Sequence, residues 1–180
     1  RHIYTKERRV DEEVIKRAAK LAPELNLVAH GSGGGYVGHL FTFPLKESTQ
    51  RALSSKERHE SQITRDDLVD PAASAPGALH IYSFHGSTSH VAYVLLQHLT
   101  VALMRSWEQL SECRCYLSRY VVTEDGLELS IKMGLKQVFR DPREHSTANT
   151  EIPPEFREAV IGGKELSWIH NYYERRDIRL

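Results

Sequence analysis

The chain has 180 residues and no net charge, with 24 basic and 24 acidic side chains. Its length predicts a single domain with a buried core, and its 40% hydrophobic and 27% charged residues exclude a largely disordered protein. The balanced charge argues against a nucleic-acid partner, which would require a basic surface. No apolar run is long enough to span a membrane, so no membrane association is predicted.

The cysteines and the chain start bear on the cellular compartment. Cys113 and Cys115 are too close in sequence for a favourable disulfide, and they imply no disulfide framework. A reducing compartment is the simplest assumption, and with no signal-peptide pattern we predict a cytoplasmic protein. The chain starts at Arg1 rather than Met, so a processed chain, an excised domain and a truncated one all stay open. Flanking domains of a larger protein stay open with them.

The first half of the chain predicts a helix, a hairpin and a long connection. Asp11 to Leu21 has apolar residues at helical spacing and precedes Pro23. Two apolar stretches flank the glycine-rich segment 31–35, which predicts an antiparallel β-hairpin. The polar stretch from Glu47 to Gly77 predicts a loop, with one short helix near Ser54 to Ser61.

Strands and helices alternate in the second half. The predicted order is a strand at Ala78–Phe84, a helix at His90–Trp107, a strand at Cys113–Val122, a helix at Glu124–Met133 and a strand at Leu135–Phe139. Thr123 and Gly134 are suited to cap the helix between them. Two further helices are predicted, at Ile152–Val160, where Pro153-Pro154 favours a helix start, and at Lys164–Arg176. Strand–helix–strand crossovers require a parallel pair, so we predict an α/β fold: a central mixed sheet with helices on both faces.

Three segments carry a resemblance to a known superfamily. They are Leu27 to Gly38, His80 to Leu96, and Val121 to Leu135. In order, these are similar to the second and third strands, to the fourth strand with its cofactor loop and third helix, and to the fifth-strand end with the fourth helix of the GNAT acyl-CoA N-acyltransferases. The resemblance extends from about Ala18 to Phe139 and is strongest over 78–139. It implies one GNAT-like domain over residues 1–180.

The resemblance implies a reaction and a cofactor site. The reaction is transfer of an acyl group from acyl-CoA, or a similar thioester, to an amine on a small molecule or a protein, by direct attack. Acetyl-CoA or another acyl-CoA would bind with its pyrophosphate at the N-terminus of the His90–Trp107 helix, where free N–H groups favour anions. The residues implied for cofactor binding are Phe84, Ser87, Thr88, Ser89, His90, Val91 and Ala92.

The candidate catalytic residues are His85, His80 and Ser130. Either imidazole could take the proton of the attacking amine, because an unperturbed histidine titrates at about pKa 6.5. Ser130 stands where the family often has a tyrosine general acid. The cofactor loop matches the family pattern only at Ala92, and His90 occupies a glycine position where it could obstruct the phosphates. The alternative function is therefore a catalytically inactive GNAT-like module that binds a ligand or partner within a larger protein.

Three other interpretations are less favoured. Gly33 to Gly38 matches G-x-G-x-x-G, but a strand rather than a helix is predicted after it, which favours a hairpin turn over a dinucleotide site. The His-Gly pairs found in hydrolase oxyanion loops are present, but no G-x-S-x-G motif accompanies them. The histidines at positions 80, 85 and 90 would lie on different faces and elements, so no metal site is predicted.

Overall fold

A computed structural model describes residues 9–105, 115–142 and 150–161. The described helices are α1 Glu12–Leu21, α2 Glu47–Ser54, α3 Ser89–Arg105 and α4 Glu124–Lys132. The described strands are β1 Asn26–His30, β2 Tyr36–Leu45, β3 Ala78–Gly86, β4 Tyr116–Val121, β5 Lys136–Arg140 and β6 Glu155–Val160. These strands form one sheet in the order β1-β2-β3-β4-β6-β5.

The sheet is mixed, as predicted. β3 and β4 are parallel and are joined by a crossover that includes α3, whereas the other neighbouring strands are antiparallel. β1 and β2 form the predicted hairpin. Gly34 in its turn has a φ of 77°, a backbone conformation that glycine adopts without strain. The glycine-rich segment is therefore a hairpin turn.

Helices cover both faces of the sheet, and each face has its own hydrophobic cluster. On one face α3 contributes Leu95 and Leu99, which pack with Leu79 and Ile81 of β3. On the other face α1 and α2 pack against residues of the opposite parity, among them Phe43, Leu45, Ala78 and Phe156. Burial of each leucine, isoleucine or phenylalanine side chain contributes roughly 1.5–3 kcal/mol to the free energy of unfolding, so both layers stabilise the sheet.

The caps of α4 are those expected from the sequence. Thr123 Oγ1 accepts the Gly126 N–H at 3.1 Å, and Gly134 has a φ of 77° just beyond the helix end. α1 and α3 also occur where helices are predicted, although Trp107 at the predicted end of α3 lies outside the described residues.

The predicted helix at Ser54–Ser61 is displaced, because α2 begins at Glu47 and ends at Ser54. The buried face of α2 consists of Thr49, Gln50 and Leu53. Two of these three are polar, so the apolar periodicity that marks a helix is weak there. Their burial is possible because both polar side chains find hydrogen-bond partners inside the protein.

The predicted helix at Ile152–Val160 is wrong. Glu155–Val160 forms β6, which lies between β4 and β5 and is antiparallel to both. Both neighbours require a partner for their backbone N–H and C=O groups, and β6 supplies it. Phe156 is fully buried within this strand. The predicted helix at Lys164–Arg176 and Cys113 lie outside the described residues.

Candidate functional site

The parallel strands β3 and β4 stop pairing part-way along β3. Their register runs from Ala78↔Tyr116 to Ile81↔Arg119. β3 then continues to Gly86, and within the described part of the chain this end pairs only with β2. Among the described residues, the edge of β3 from Tyr82 onward therefore has no β4 partner for its backbone N–H and C=O groups. We call this opening the β3–β4 cleft.

A β-bulge lies at the start of the cleft. Phe41 pairs with Ser83 and Thr42 pairs with Ile81, so Tyr82 is the extra residue of β3. Bulges re-aim the side chains that follow them. Beyond this one, Phe84 packs against the cluster beneath α3.

The N-terminus of α3 is held close to the end of β3 by glycines. A Cβ atom on Gly86 would lie 2.6 Å from the backbone nitrogen of Ala92, and one on Gly38 would lie 2.6 Å from the carbonyl oxygen of His85. Ala92 thus packs against Gly86. A larger residue at either position would push the helix away from the strand.

The residues expected to bind a cofactor come together at this helix end. Ser87, Thr88, Ser89 and His90 are exposed, whereas Phe84, Val91 and Ala92 are half-buried behind them. Thr88 Oγ1 accepts the Val91 N–H at 3.2 Å and so caps the helix. The N–H groups of Ser89 and His90 precede the first intrahelical bond and need an outside acceptor.

The three candidate catalytic residues occupy different environments. His85 is exposed at the end of β3, where its ring stacks with Tyr36 at a centroid distance of 6.2 Å. His80 is fully buried, with Nε2 2.7 Å from Glu60 Oε1 and Nδ1 3.0 Å from Ser118 Oγ. Ser130 is fully buried and donates its hydroxyl to the Gly126 carbonyl within α4 at 2.7 Å. Only His85 is open to a ligand.

A second polar group beside the cleft was not anticipated from the sequence. Ser83 Oγ lies 2.6 Å from His39 Nε2, and the Tyr36 hydroxyl forms a hydrogen bond with His39 Nδ1. The imidazole also stacks on Phe41, with 4.9 Å between the ring centroids. We call Tyr36, His39 and Ser83 the His39 cluster. The sequence signal was weak, because these residues come from two strands and are unremarkable singly.

The electrostatics of the His39 cluster favour a neutral imidazole. Burial lowers the pKa of His39, and the nearby His85 lowers it further. Desolvation raises the pKa of Tyr36 above the ordinary phenol value of about 10, so the phenol is neutral at neutral pH. At neutral pH His39 is therefore a proton acceptor beside a hydroxyl group.

Comparisons with known proteins address the fold. No protein-family model and no curated protein matches the chain. Naa20 of Chaetomium thermophilum, solved in complex with a bisubstrate analogue, superposes with a TM-score of 0.53 at 13% identity, over 93% of this chain and 80% of that chain. The chain has a GNAT-like fold. A mosquito arylalkylamine N-acetyltransferase like 5b gives a TM-score of 0.49 at 11% identity, over 88% of this chain and 85% of that one.

Two features are absent from the described residues. No group of three or more His, Cys, Asp or Glu side chains there is arranged to hold a metal ion. None of the helices in that part of the chain is long and apolar enough to cross a membrane.

Proposed function

We propose that this chain is an acyltransferase that moves an acyl group from acetyl-CoA, another acyl-CoA or a similar thioester to an amine on a small molecule or a protein. The observation that carries the proposal is the β3–β4 cleft, which opens beside the first turn of α3 in a GNAT-like fold. Naa20, which shares that fold, was solved with a bisubstrate analogue bound.

The cofactor site of the proposal is the first turn of α3. The N–H groups of Ser89 and His90 would meet the pyrophosphate at the positive end of the helix dipole. The hydroxyls of Ser87 and Thr88 are exposed there and would add donors. The edge of β3 that has no strand partner in the described part of the chain would offer N–H groups to the thioester oxygen, where negative charge develops during attack.

Two imidazoles are candidates for the proton of the amine. His85 lies at the exposed end of β3 and is one of the residues expected for this role. The ring centroids of His39 and His85 are 6.1 Å apart. The lowered pKa of His39 suits this imidazole to accept a proton at neutral pH. His80 and Ser130 are buried, so in this proposal they position β3 and α4 and do not contact the substrate.

Calorimetric titration with CoA and acetyl-CoA tests the cofactor site. We expect binding by the unmodified chain and tighter binding by His90→Gly, because His90 is exposed in the first turn of α3, where its imidazole would compete for space with the phosphates. His98→Ala is the matched control, since His98 is also an exposed histidine of α3 but lies farther along the helix. Absence of heat at millimolar cofactor would overturn the proposal. Weaker binding by His90→Gly would make the imidazole a ligand contact.

A catalytically inactive binding module is the second candidate. Two observations favour it: Thr88 already caps the helix at Val91, and the Ser130 hydroxyl is bonded inside α4. Both groups would have to exchange their present hydrogen bonds to act on a ligand. Release of CoA over multiple turnovers with any amine would exclude this candidate.

A further inference from the structure

A serine hydroxyl and a neutral imidazole share a hydrogen bond at the mouth of the cleft. Ser83 Oγ and His39 Nε2 are 2.6 Å apart, which is within the distance over which a base takes the proton of a nucleophile. Both side chains are half-buried, so the pair is partly shielded yet reachable.

The imidazole is oriented by two further contacts. The Tyr36 hydroxyl forms a hydrogen bond with His39 Nδ1. The ring of Phe41 stacks on the imidazole, with 4.9 Å between the ring centroids. When Nδ1 carries the proton and donates to the phenol oxygen, Nε2 is free to accept from Ser83. A nucleophile, a base and a group that orients the base are thus aligned as nucleophilic catalysis requires.

The location also suits attack on a carbonyl. Ser83 follows the bulge residue Tyr82 and lies beyond Ile81, the last β3 residue paired with β4. The adjoining edge of β3 has backbone N–H groups without a strand partner among the described residues. Such groups stabilise the oxyanion that forms when a carbonyl is attacked.

We propose that Ser83 is a nucleophile that takes an acyl group from activated esters and thioesters, with His39 as its base, and that the chain hydrolyses such compounds. This second activity rests on the His39 cluster and does not depend on CoA binding.

Each step of the proposed reaction is balanced. Ser83 Oγ attacks the carbonyl carbon and gives its proton to His39 Nε2. The bond to the leaving alcohol or thiol breaks, and that group takes the proton from His39. Water then attacks the acyl-serine ester while His39 accepts its proton, and the acid leaves as the proton returns to Ser83 Oγ.

The test uses p-nitrophenyl acetate, which contains no CoA. We expect release of p-nitrophenol and, in a rapidly quenched sample, one acetyl group on Ser83 by peptide mass spectrometry. Ser83→Ala should abolish the adduct and lower the rate roughly 10²-fold or more, and His39→Gln should lower the rate by a similar factor. Ser74→Ala changes an exposed serine in the connection before β3, outside both proposed sites, and should leave the rate unchanged.

Two results would overturn the inference. One is the same rate in Ser83→Ala, with loss only in His39→Gln, because the imidazole would then act alone. The other is acetylation spread over lysines with none at Ser83. Circular dichroism identifies a variant that fails to fold, and Ser83→Cys provides a second measurement. Its thiol should react with iodoacetamide at least tenfold faster than the same thiol in a Ser83→Cys/His39→Gln chain.

The failure of this inference and the failure of the acyl-CoA proposal are distinguishable. A reactive Ser83 in a chain that does not bind CoA would support this inference and reject the acyl-CoA proposal. CoA binding by a chain in which Ser83 is unreactive would reject this inference and leave the acyl-CoA proposal standing.

Discussion

His80 Nε2 lies 2.7 Å from Glu60 Oε1, and both side chains are almost completely buried. A chain of hydrogen bonds fixes the proton on the other side of the ring. The Gln50 amide donates to Glu158 Oε2 at 2.7 Å, so its oxygen accepts from the Ser118 hydroxyl at 2.8 Å. Ser118 Oγ therefore accepts from His80 Nδ1–H, and a single proton lies between Nε2 and Glu60.

This contact predicts a large and coupled effect on stability. Glu60→Ala leaves a buried ring nitrogen without its partner and opens a small cavity, so we expect a loss of about 3 kcal/mol in the free energy of unfolding. His80→Ala should cost a similar amount. The double variant should lose less than the sum, by about 1–3 kcal/mol, because the two residues are in contact. Urea denaturation measures each value.

The control is Glu24→Ala, which changes an exposed carboxylate and should alter stability by less than about 0.5 kcal/mol. Strict additivity of Glu60→Ala and His80→Ala would show that the two groups do not interact energetically.

A second prediction concerns Asp67, a buried carboxylate in the segment before β3. Burial raises the pKa of Asp67, but hydrogen bonds from Arg58, Thr64 and Thr49 outweigh it and hold the pKa well below its usual range. The folded state therefore favours the ionised form. This carboxylate contributes stability above the unfolded pKa of about 3.9, and the contribution is lost progressively as the pH falls below that value.

We expect Asp67→Asn to lower the free energy of unfolding by about 2 kcal/mol at pH 7. This is less than the loss expected on breaking a fully buried ion pair, because Arg58 keeps partial access to water. The difference from the unmodified chain should narrow as the pH falls below about 4. Asp66→Asn is the adjacent exposed control. Thermal unfolding from pH 7 to pH 3 measures both, and a difference that stays constant over that range would contradict the prediction.

A third prediction tests the close approach of β3 and α3. Gly86→Ala adds a Cβ atom 2.6 Å from the Ala92 nitrogen and 2.9 Å from its Cα, both backbone atoms that cannot rotate away. We expect a loss of about 1–3 kcal/mol and a displaced helix start. Gly33→Ala, where an added Cβ meets nothing within 4 Å, should be near neutral. Equal effects of the two substitutions on unfolding would refute the packing argument.

Elements whose determinants lie within one or two turns were predictable from the sequence. Thr123 and Gly134 define both ends of α4, and the mixed sheet followed from alternating strands and helices. β6 was not predictable in this way. Pro153-Pro154 favours a helix start in isolation, whereas the strand depends on β4 and β5, which flank it in space.

The His39 cluster shows the same limit at the level of the site. Ser83 is 44 positions from His39 along the chain, and their contact depends on the strand register. Tyr36 and His39 are three positions apart, a spacing that puts side chains on opposite faces of a regular strand. The pairing skips Val37, since Ala29 opposes Gly38 and His30 opposes Tyr36. That irregularity brings the phenol to the same face as His39.

The last prediction concerns the charge beside His39. Burial is the main cause of the lowered pKa of His39, and electrostatic repulsion by His85 is the second. His85→Gln removes that repulsion, so we expect the pKa of His39 to rise. Burial is unaffected and keeps the pKa below the ordinary histidine value of about 6.5. Because the neutral imidazole is the base, the acid limb of the pH–rate profile for p-nitrophenyl acetate should move to higher pH.

NMR titration of the His39 ring protons measures the shift directly. His30→Gln is the matched control. His30 is an exposed histidine at the end of β1 that is hydrogen-bonded to the Gly34 carbonyl, and it is not among the groups that perturb the pKa of His39.

The titratable groups in contact with the His39 ring, among the described residues, are Tyr36 and His85. Tyr36 remains neutral through this pH range because an ordinary phenol titrates at a pKa of about 10 and desolvation raises the pKa of Tyr36 further. An unchanged His39 titration in His85→Gln would assign the lowered pKa to burial alone, and the acid limb would then stay where it is in the unmodified chain.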